Sequence, residues 1–142
     1  RLIELLPAAL GIKNGDAKII KNAGGVITHP FGSVVRSLLI AIYELGVEEI
    51  LVIGHTNCGV QHMDAENLLE NMRKRGISNN AIESLRYCGI DFDRWLEGFD
   101  DGCVSVAKSV ELLKKHPLIP KDVRIYGFMM DSTSGKLSSV SE

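Results

Sequence analysis

The apolar and polar positions of the chain follow two periodicities in turn, and these predict strands and helices. The uninterrupted apolar run at 50–53 ends at Gly54, and a short run of this kind is typical of a buried strand. From 31 to 45 the apolar residues recur at intervals of three and four, which predicts a helix that ends at Gly46. The same criteria predict further strands at 17–21, 123–130 and 137–140, and further helices at 5–10, 64–75, 79–87, 92–99 and 104–115.

The order of these elements predicts the fold class. Strands that alternate with helices are typical of an α/β fold with a mostly parallel central sheet flanked by helices. The run at 137–140 follows a turn at 132–135, and we expect it to return as an antiparallel edge strand at the C-terminus. The length favours a single domain over 1–142. Few interior strands are visible, so we expect the first central strand to lie upstream of Arg1.

Composition narrows the classes of function. The 142 residues are 45% hydrophobic and 24% charged, which is ordinary for a globular protein. Sixteen Lys and Arg residues against 18 Asp and Glu residues give a net charge of −2, and no basic stripe predicts contact with nucleic acid. No apolar stretch approaches the roughly 18 residues that a membrane span needs. The cysteines Cys58, Cys88 and Cys103 are odd in number and widely spaced, which favours a reducing cytoplasm over a disulfide framework.

The strongest candidate for chemistry is the pair His55 and Cys58, which directly follows the predicted strand at 50–53. Open α/β sheets place their functional sites at the carboxyl ends of strands. An imidazole and a thiolate three residues apart form half of a credible zinc site, because zinc in proteins usually takes four ligands. The alternative interpretation is a loop histidine beside a buried cysteine that binds no metal.

A second candidate is the loop Asn22-Ala23-Gly24-Gly25, which lies between a predicted strand and a predicted helix. It matches neither G-x-G-x-x-G nor G-x-x-x-x-G-K-[ST], so nucleotide binding is not expected. Its small residues allow the backbone to approach a small ligand closely, and its N–H groups can bind an anion or a polarised oxygen. The alternative is a sharp turn without a ligand.

Other polar residues have plainer interpretations. His62 is interpreted as a solvated group near a helix start, with proton transfer as the alternative. His116 lies near a helix end and is expected to interact with the helix dipole. The charged run at 73–75 predicts a solvated helix face.

Taken together, these motifs resemble those of the β-class carbonic anhydrases in their short bacterial and archaeal form. That family carries C-x-D-x-R at the end of its first strand and H-x-x-C further along, and the second motif stands here as His55-Thr56-Asn57-Cys58. The stretch 15–25 resembles the family's second strand and active-site loop, and 127–137 resembles its last two strands with their turn. Three motifs in the family's order are more specific than any one of them.

The resemblance implies a Zn2+ site whose ligands extend beyond the displayed chain. Arg1 aligns with the last residue of C-x-D-x-R, so the Cys and Asp of that motif are expected upstream of it. Zinc is then held by that Cys together with His55 and Cys58, and the fourth position is open to water. Arg1 is implied to be catalytic, because it pairs with the Asp and orients it.

The reaction implied by the resemblance is the reversible hydration of CO2 to bicarbonate and a proton, by attack of zinc-bound hydroxide. The substrate pocket is implied to be lined by Asn22, Ala23, Gly24 and the backbone of Gly59. The family also implies a homodimer or a higher homo-oligomer, and the apolar helix at 31–45 is a candidate interface. Two alternatives remain open: a hydrolase of CS2 or COS on the same fold, and a non-catalytic zinc-binding or regulatory protein.

Overall fold

The computed structural model describes residues 2–56, 58 and 61–140. Its helices are α1 (Leu2–Leu10), α2 (Ser33–Leu45), α3 (Ala65–Lys74), α4 (Asn79–Tyr87), α5 (Phe92–Trp95) and α6 (Gly102–Lys115), with a 3-10 turn at Ala23–Gly25. Its strands are β1 (Glu49–His55), β2 (Arg124–Met130) and β3 (Leu137–Ser139). Within these residues no helix combines the length and the apolar character that a membrane crossing requires.

The strands form one sheet in the order β1-β2-β3. Strands β1 and β2 are parallel, and their register runs from Glu49 opposite Arg124 to His55 opposite Met130. Strand β3 pairs with β2 in the antiparallel direction and forms the C-terminal edge. Parallel neighbours need a long crossover connection, and here the described residues between β1 and β2 form four helices. The predicted α/β class and the antiparallel edge strand are therefore confirmed.

The hydrophobic core lies between the apolar face of the sheet and the helices that cover it. In β1 the alternation of the strand buries Ile50 and Val52 and leaves Leu51 43% exposed, as expected for a strand with one covered face. The buried cluster combines residues of α2, β1, α6, β2 and the segment before β2: Val35, Ile42, Ile50, Val52, Val106, Leu113, Ile119 and Ile125.

Helix α6 approaches the sheet closely at two glycines. A Cβ atom at Gly54 of β1 would lie 2.8 Å from Cγ2 of Val106, and one at Gly127 of β2 would lie 2.9 Å from Cγ1 of the same valine. Carbon atoms in contact lie about 3.5–4.0 Å apart, so neither position has room for a side chain. These glycines therefore set how closely α6 packs against the end of the sheet that carries His55.

Contacts between Cα atoms divide the chain into two compact units, 1–58 with 101–142 and 59–100. The second unit has a small core of its own, formed by Leu69, Ile82 and Phe92. On α3 the guanidinium of Arg73 lies 3.1 Å from a carboxylate oxygen of Glu66 and 3.2 Å from one of Glu70. The charged face predicted at 73–75 therefore also carries two ion pairs at Arg73, with carboxylates one and two turns earlier. A single domain over 1–142 stays a prediction.

The predicted strand at 17–21 is wrong, since this segment has no regular secondary structure. No strand in the described part of the chain pairs with it, and Ile19 and Ile20 are 48% and 40% exposed. Apolar spacing alone does not make a strand, because backbone N–H and C=O groups need a partner ladder.

Two helices are shorter than their periodicity predicts. Helix α2 begins at Ser33, because His29 to Gly32 form a turn in which the Phe31 N–H donates to Nδ1 of His29. The helix predicted at 92–99 ends at Trp95.

We expect Gly127→Ala to lower the free energy of unfolding by about 1–3 kcal/mol, because the added methyl group overpacks Val106 and Val110. Urea denaturation measures this loss. The double variant Gly127→Ala/Val106→Ala should lose less than the sum of the two single losses, by about 0.5–3 kcal/mol. Strictly additive losses would contradict the close contact.

Candidate metal centre

His55 lies at the carboxyl end of β1, as the sequence predicts. It is the last residue of the strand, opposite Met130 of β2. The next N–H, that of Thr56, donates to the carbonyl oxygen of Met130 at 3.0 Å and extends the parallel pairing by one residue. Cys58 follows three residues after His55 as a half-buried free thiol. The strand therefore ends at an imidazole, and a thiol follows it three residues later in the chain.

The ring of His55 is held in one tautomer by its neighbour. Nδ1 of His55 lies 2.9 Å from the carbonyl oxygen of Thr56. A carbonyl oxygen can only accept, so Nδ1 carries the hydrogen and donates it. The lone pair of the neutral imidazole is then on Nε2. Histidines that bind metals almost always make such a bond with the nitrogen that does not bind the metal.

Thr56 is in turn bonded to the loop between β2 and β3. The N–H of Ser132 donates to Oγ1 of Thr56 at 3.0 Å. Oγ1 of Thr56 also lies 3.2 Å from Oγ of Ser132. The sequence contains no signal for this pairing, because the two residues are 76 positions apart.

The loop that holds Ser132 is closed by Asp131. The N–H groups of Thr133 and Ser134 donate to Oδ1 of Asp131 at 2.8 and 3.0 Å. Backbone bonds across the same turn run from Asp131 to Lys136 and from Gly135 to Asp131. The bonds from the Ser134 and Thr133 backbones hold the pKa of the Asp131 carboxyl below its ordinary value of 3.8.

The small-residue loop lies against the same end of β1. Gly24 and Gly25 adopt left-handed backbone conformations, with φ of 81° and 63°. A Cβ at Gly25 would lie 3.0 Å from the carbonyl oxygen of Ile53, two residues before His55. The side-chain amide of Asn22 donates to the carbonyl of Val26 at 2.7 Å and closes the loop on itself. The fold thus brings this loop to the strand end that carries His55.

Ser109 fastens the small-residue loop to helix α6. Its hydroxyl accepts the N–H of Ile27 at 3.3 Å, and the serine is only 3% exposed. Sequence reasoning missed this residue, because a serine within a helix pattern gives no sign of the distant backbone group that it bonds.

The predicted site residues are thus brought together in part. Asn22, Ala23 and Gly24 lie near the strand end, while Arg1 and Gly59 fall outside the described residues. Within the described residues, no group of three or more His, Cys, Asp or Glu side chains is arranged to hold a metal. The site roles of all these residues stay predictions.

The other histidines are engaged elsewhere. His116 is only 2% exposed; its Nε2 donates to the carbonyl of Pro30 at 2.6 Å, and its Nδ1 accepts the N–H of Leu118. Both ring nitrogens are thus used in a buried contact, and the interaction with the helix dipole stays a prediction. His62 belongs to the second unit and contacts Asp100 through Nδ1 at 3.1 Å, with its side chain 69% exposed.

Comparison with known proteins places this arrangement in a family. The family model described as carbonic anhydrase matches residues 6–137. A protein of Bacillus subtilis named "Putative carbonic anhydrase YtiB" is 47% identical over 140 residues, which cover 99% of this chain and 75% of that protein. A carbon disulfide hydrolase of Acidithiobacillus thiooxidans is 33% identical, with coverage of 94% and 71%.

A solved structure agrees with these sequence matches. The crystal structure of β-carbonic anhydrase isoform I from Trichomonas vaginalis superposes with a TM-score of 0.88 at 36% identity, over 98% of this chain and 75% of that one. The chain therefore belongs to the carbonic anhydrase family.

We expect Ser109→Ala to lower the free energy of unfolding by about 1–3 kcal/mol, because the part-buried N–H of Ile27 loses its acceptor. Chemical denaturation measures the loss. Ser84→Ala on the exposed face of α4 is the matched control and should change stability by about 0.5 kcal/mol or less. Equal effects of the two substitutions would argue against the bond.

Asp131→Asn should remove a pH-dependent part of the stability. The folded pKa of Asp131 is lowered, so its charge stabilises the fold above about pH 3.8, and this stabilisation is lost as the pH falls through the folded pKa. Denaturation curves of wild type and variant should therefore differ near neutral pH and converge in acid. The exposed carboxylate of Asp122, changed to Asn, serves as the control. A gap between wild type and Asp131→Asn that is constant with pH contradicts this account.

Proposed function

We propose that this chain catalyses the reversible hydration of CO2 to bicarbonate and a proton, with zinc held in part by His55 and Cys58. The observation that carries the proposal is the tautomer of His55. Its Nδ1 is bonded to a carbonyl at the carboxyl edge of the sheet, so Nε2 offers a lone pair three residues before a free thiol. Membership of the carbonic anhydrase family supplies the reaction.

The donor atoms fit zinc in type. Imidazole nitrogen and thiolate sulfur are both common zinc ligands, whereas magnesium and calcium prefer oxygen. The described residues bring no third donor to His55 and Cys58. The proposal therefore requires a further ligand from outside the described residues, for which the family motif implies a cysteine.

Zinc, when bound, supplies a Lewis acid that lowers the pKa of bound water to about 7. The chain's own residues supply the surroundings. The small-residue loop packs on β1, where a Cβ at Gly25 would lie 3.0 Å from the carbonyl oxygen of Ile53, and Asn22, Ala23 and Gly24 are proposed to line a pocket for a small substrate. Gly59 is proposed to line the same pocket, and Arg1 is proposed to pair with and orient a carboxylate.

We also propose that the protein forms a homodimer or a higher homo-oligomer and works in a reducing cytoplasm. Helix α2 leaves Tyr43 and Leu45 more than half exposed. Apolar and aromatic side chains of this kind suit an interface between copies of the chain. The three cysteines are free thiols, as a reducing environment would keep them.

A second candidate function is the hydrolysis of CS2 or COS. The observation that favours it is the 33% identity to a carbon disulfide hydrolase, beside the higher identity to proteins named carbonic anhydrases. A third possibility is a protein that binds zinc without turnover. These functions share the zinc donors, so only kinetics with each substrate separates them.

We expect Cys58→Ser and His55→Ala each to abolish zinc binding and to lower CO2 hydration by more than 100-fold, since loss of a mere supporting partner already costs about 10–100-fold. Zinc per chain is measured by elemental analysis, and hydration by stopped-flow pH change. The exposed thiols provide matched controls, because Cys88→Ser and Cys103→Ser should leave both quantities unchanged.

The outcomes for the wild-type protein separate the candidates. Zinc binding with CO2 turnover is the expected result. Turnover of CS2 without CO2 hydration would favour the second candidate, and zinc without turnover of either would favour a binding protein. Full zinc content in Cys58→Ser would overturn the proposed site.

A further inference from the structure

We propose that Thr56 and Ser132 are positioning residues, which hold the ring of His55 in the tautomer and orientation that binds zinc. This inference rests on the proposed function, because it assigns a role to residues around the same site. Neither residue is proposed to touch zinc or substrate. Their effect is transmitted to His55 through one carbonyl group.

First, Thr56 is anchored by hydrogen bonds at both its backbone and its side chain. Its N–H donates to the carbonyl of Met130 at 3.0 Å. Its hydroxyl accepts the N–H of Ser132 at 3.0 Å, and its own hydrogen can point to Oγ of Ser132 at 3.2 Å. Thr56 is therefore tied through its backbone to Met130 of the adjacent strand, and through its side chain to Ser132 of the loop that follows.

The second step is the direction of the Thr56 carbonyl. The bonds at its N–H and its hydroxyl restrain φ and χ1 of Thr56, and with them the position of the Cα atom from which the carbonyl group extends. That carbonyl oxygen lies 2.9 Å from Nδ1 of His55. A free imidazole samples both tautomers, whereas this acceptor selects the one with hydrogen on Nδ1. The carbonyl of Thr56 thus leaves Nε2 of His55 free to bind a metal before any metal is present.

The third step is the rigidity of Ser132 itself. The turn at 131–136 is closed by two bonds to the carboxylate of Asp131 and by backbone bonds across the turn. Ser132 is therefore presented to Thr56 by a preformed turn. If the bond between the Thr56 hydroxyl and Ser132 only capped the end of β1, it would have no effect on the ring of His55.

The test compares Thr56→Val, which keeps the shape of the side chain and removes the hydroxyl, with Thr56→Ser, which keeps the hydroxyl. Thr56→Val should weaken zinc binding by about 10–100-fold, the usual cost of losing a group that supports a metal ligand. Thr56→Ser should stay within about threefold of the wild-type affinity, because its hydroxyl makes the same bonds. Affinity is measured by competition with a chromophoric chelator.

A second readout follows the tautomer directly. Imidazole nitrogen NMR of the zinc-free protein should show His55 with hydrogen on Nδ1 in wild type and Thr56→Ser, and a mixture of tautomers in Thr56→Val. A merely structural role of the hydroxyl would lower stability without changing this spectrum. Unchanged tautomer and unchanged affinity in a folded Thr56→Val protein would overturn the inference.

If Thr56→Val does not fold by circular dichroism, Ser132→Ala carries the test, because it removes only one of the two bonds to Thr56. Its expected loss of zinc affinity is about 2–10-fold. No loss of affinity there would likewise overturn the inference. Failure of the proposed function would be seen separately, because the wild-type protein would then bind no zinc. That result needs no variant.

Discussion

The close approach of α6 to the sheet is the constraint on which the rest of the compact unit 1–58 with 101–142 depends. Val106 lies over Gly54 and Gly127, at distances that exclude a side chain at either glycine. The same helix carries Ser109 one turn later, and its hydroxyl holds the backbone of Ile27 beside the strand end. A helix held farther from the sheet would lose this bond, so packing in the core determines where the small-residue loop lies.

At the carboxyl end of β1, a series of hydrogen bonds leads from the sheet to the ring of His55. The parallel pairing of β1 with β2 continues to Thr56, whose hydroxyl is held by Ser132. The Thr56 carbonyl in turn fixes His55. Each bond is individually modest, at about 0.5–1.5 kcal/mol, but together they restrict one imidazole ring. Geometry of this kind favours metal binding because the ligand does not have to be ordered when the metal arrives.

The apolar patterns and the family motifs were sufficient to predict the strand at β1, the helices α2 and α6, and His55 at the carboxyl end of a strand. They were also sufficient to predict β3 as an antiparallel edge strand. They failed at 17–21, because a strand exists only if another strand pairs with it and periodicity does not report the partner. They also missed Ser109 and Ser132, which act through backbone groups far away in sequence. The buried role of His116 was hidden for the same reason.

X-ray absorption spectroscopy of the zinc-loaded protein reports whether His55 and Cys58 bind zinc, as proposed above. We expect sulfur scattering at about 2.3 Å and imidazole nitrogen scattering at about 2.0–2.1 Å, with the histidine signature lost in His55→Ala. A shell of oxygen atoms without sulfur, or a spectrum that does not change in His55→Ala, would contradict it.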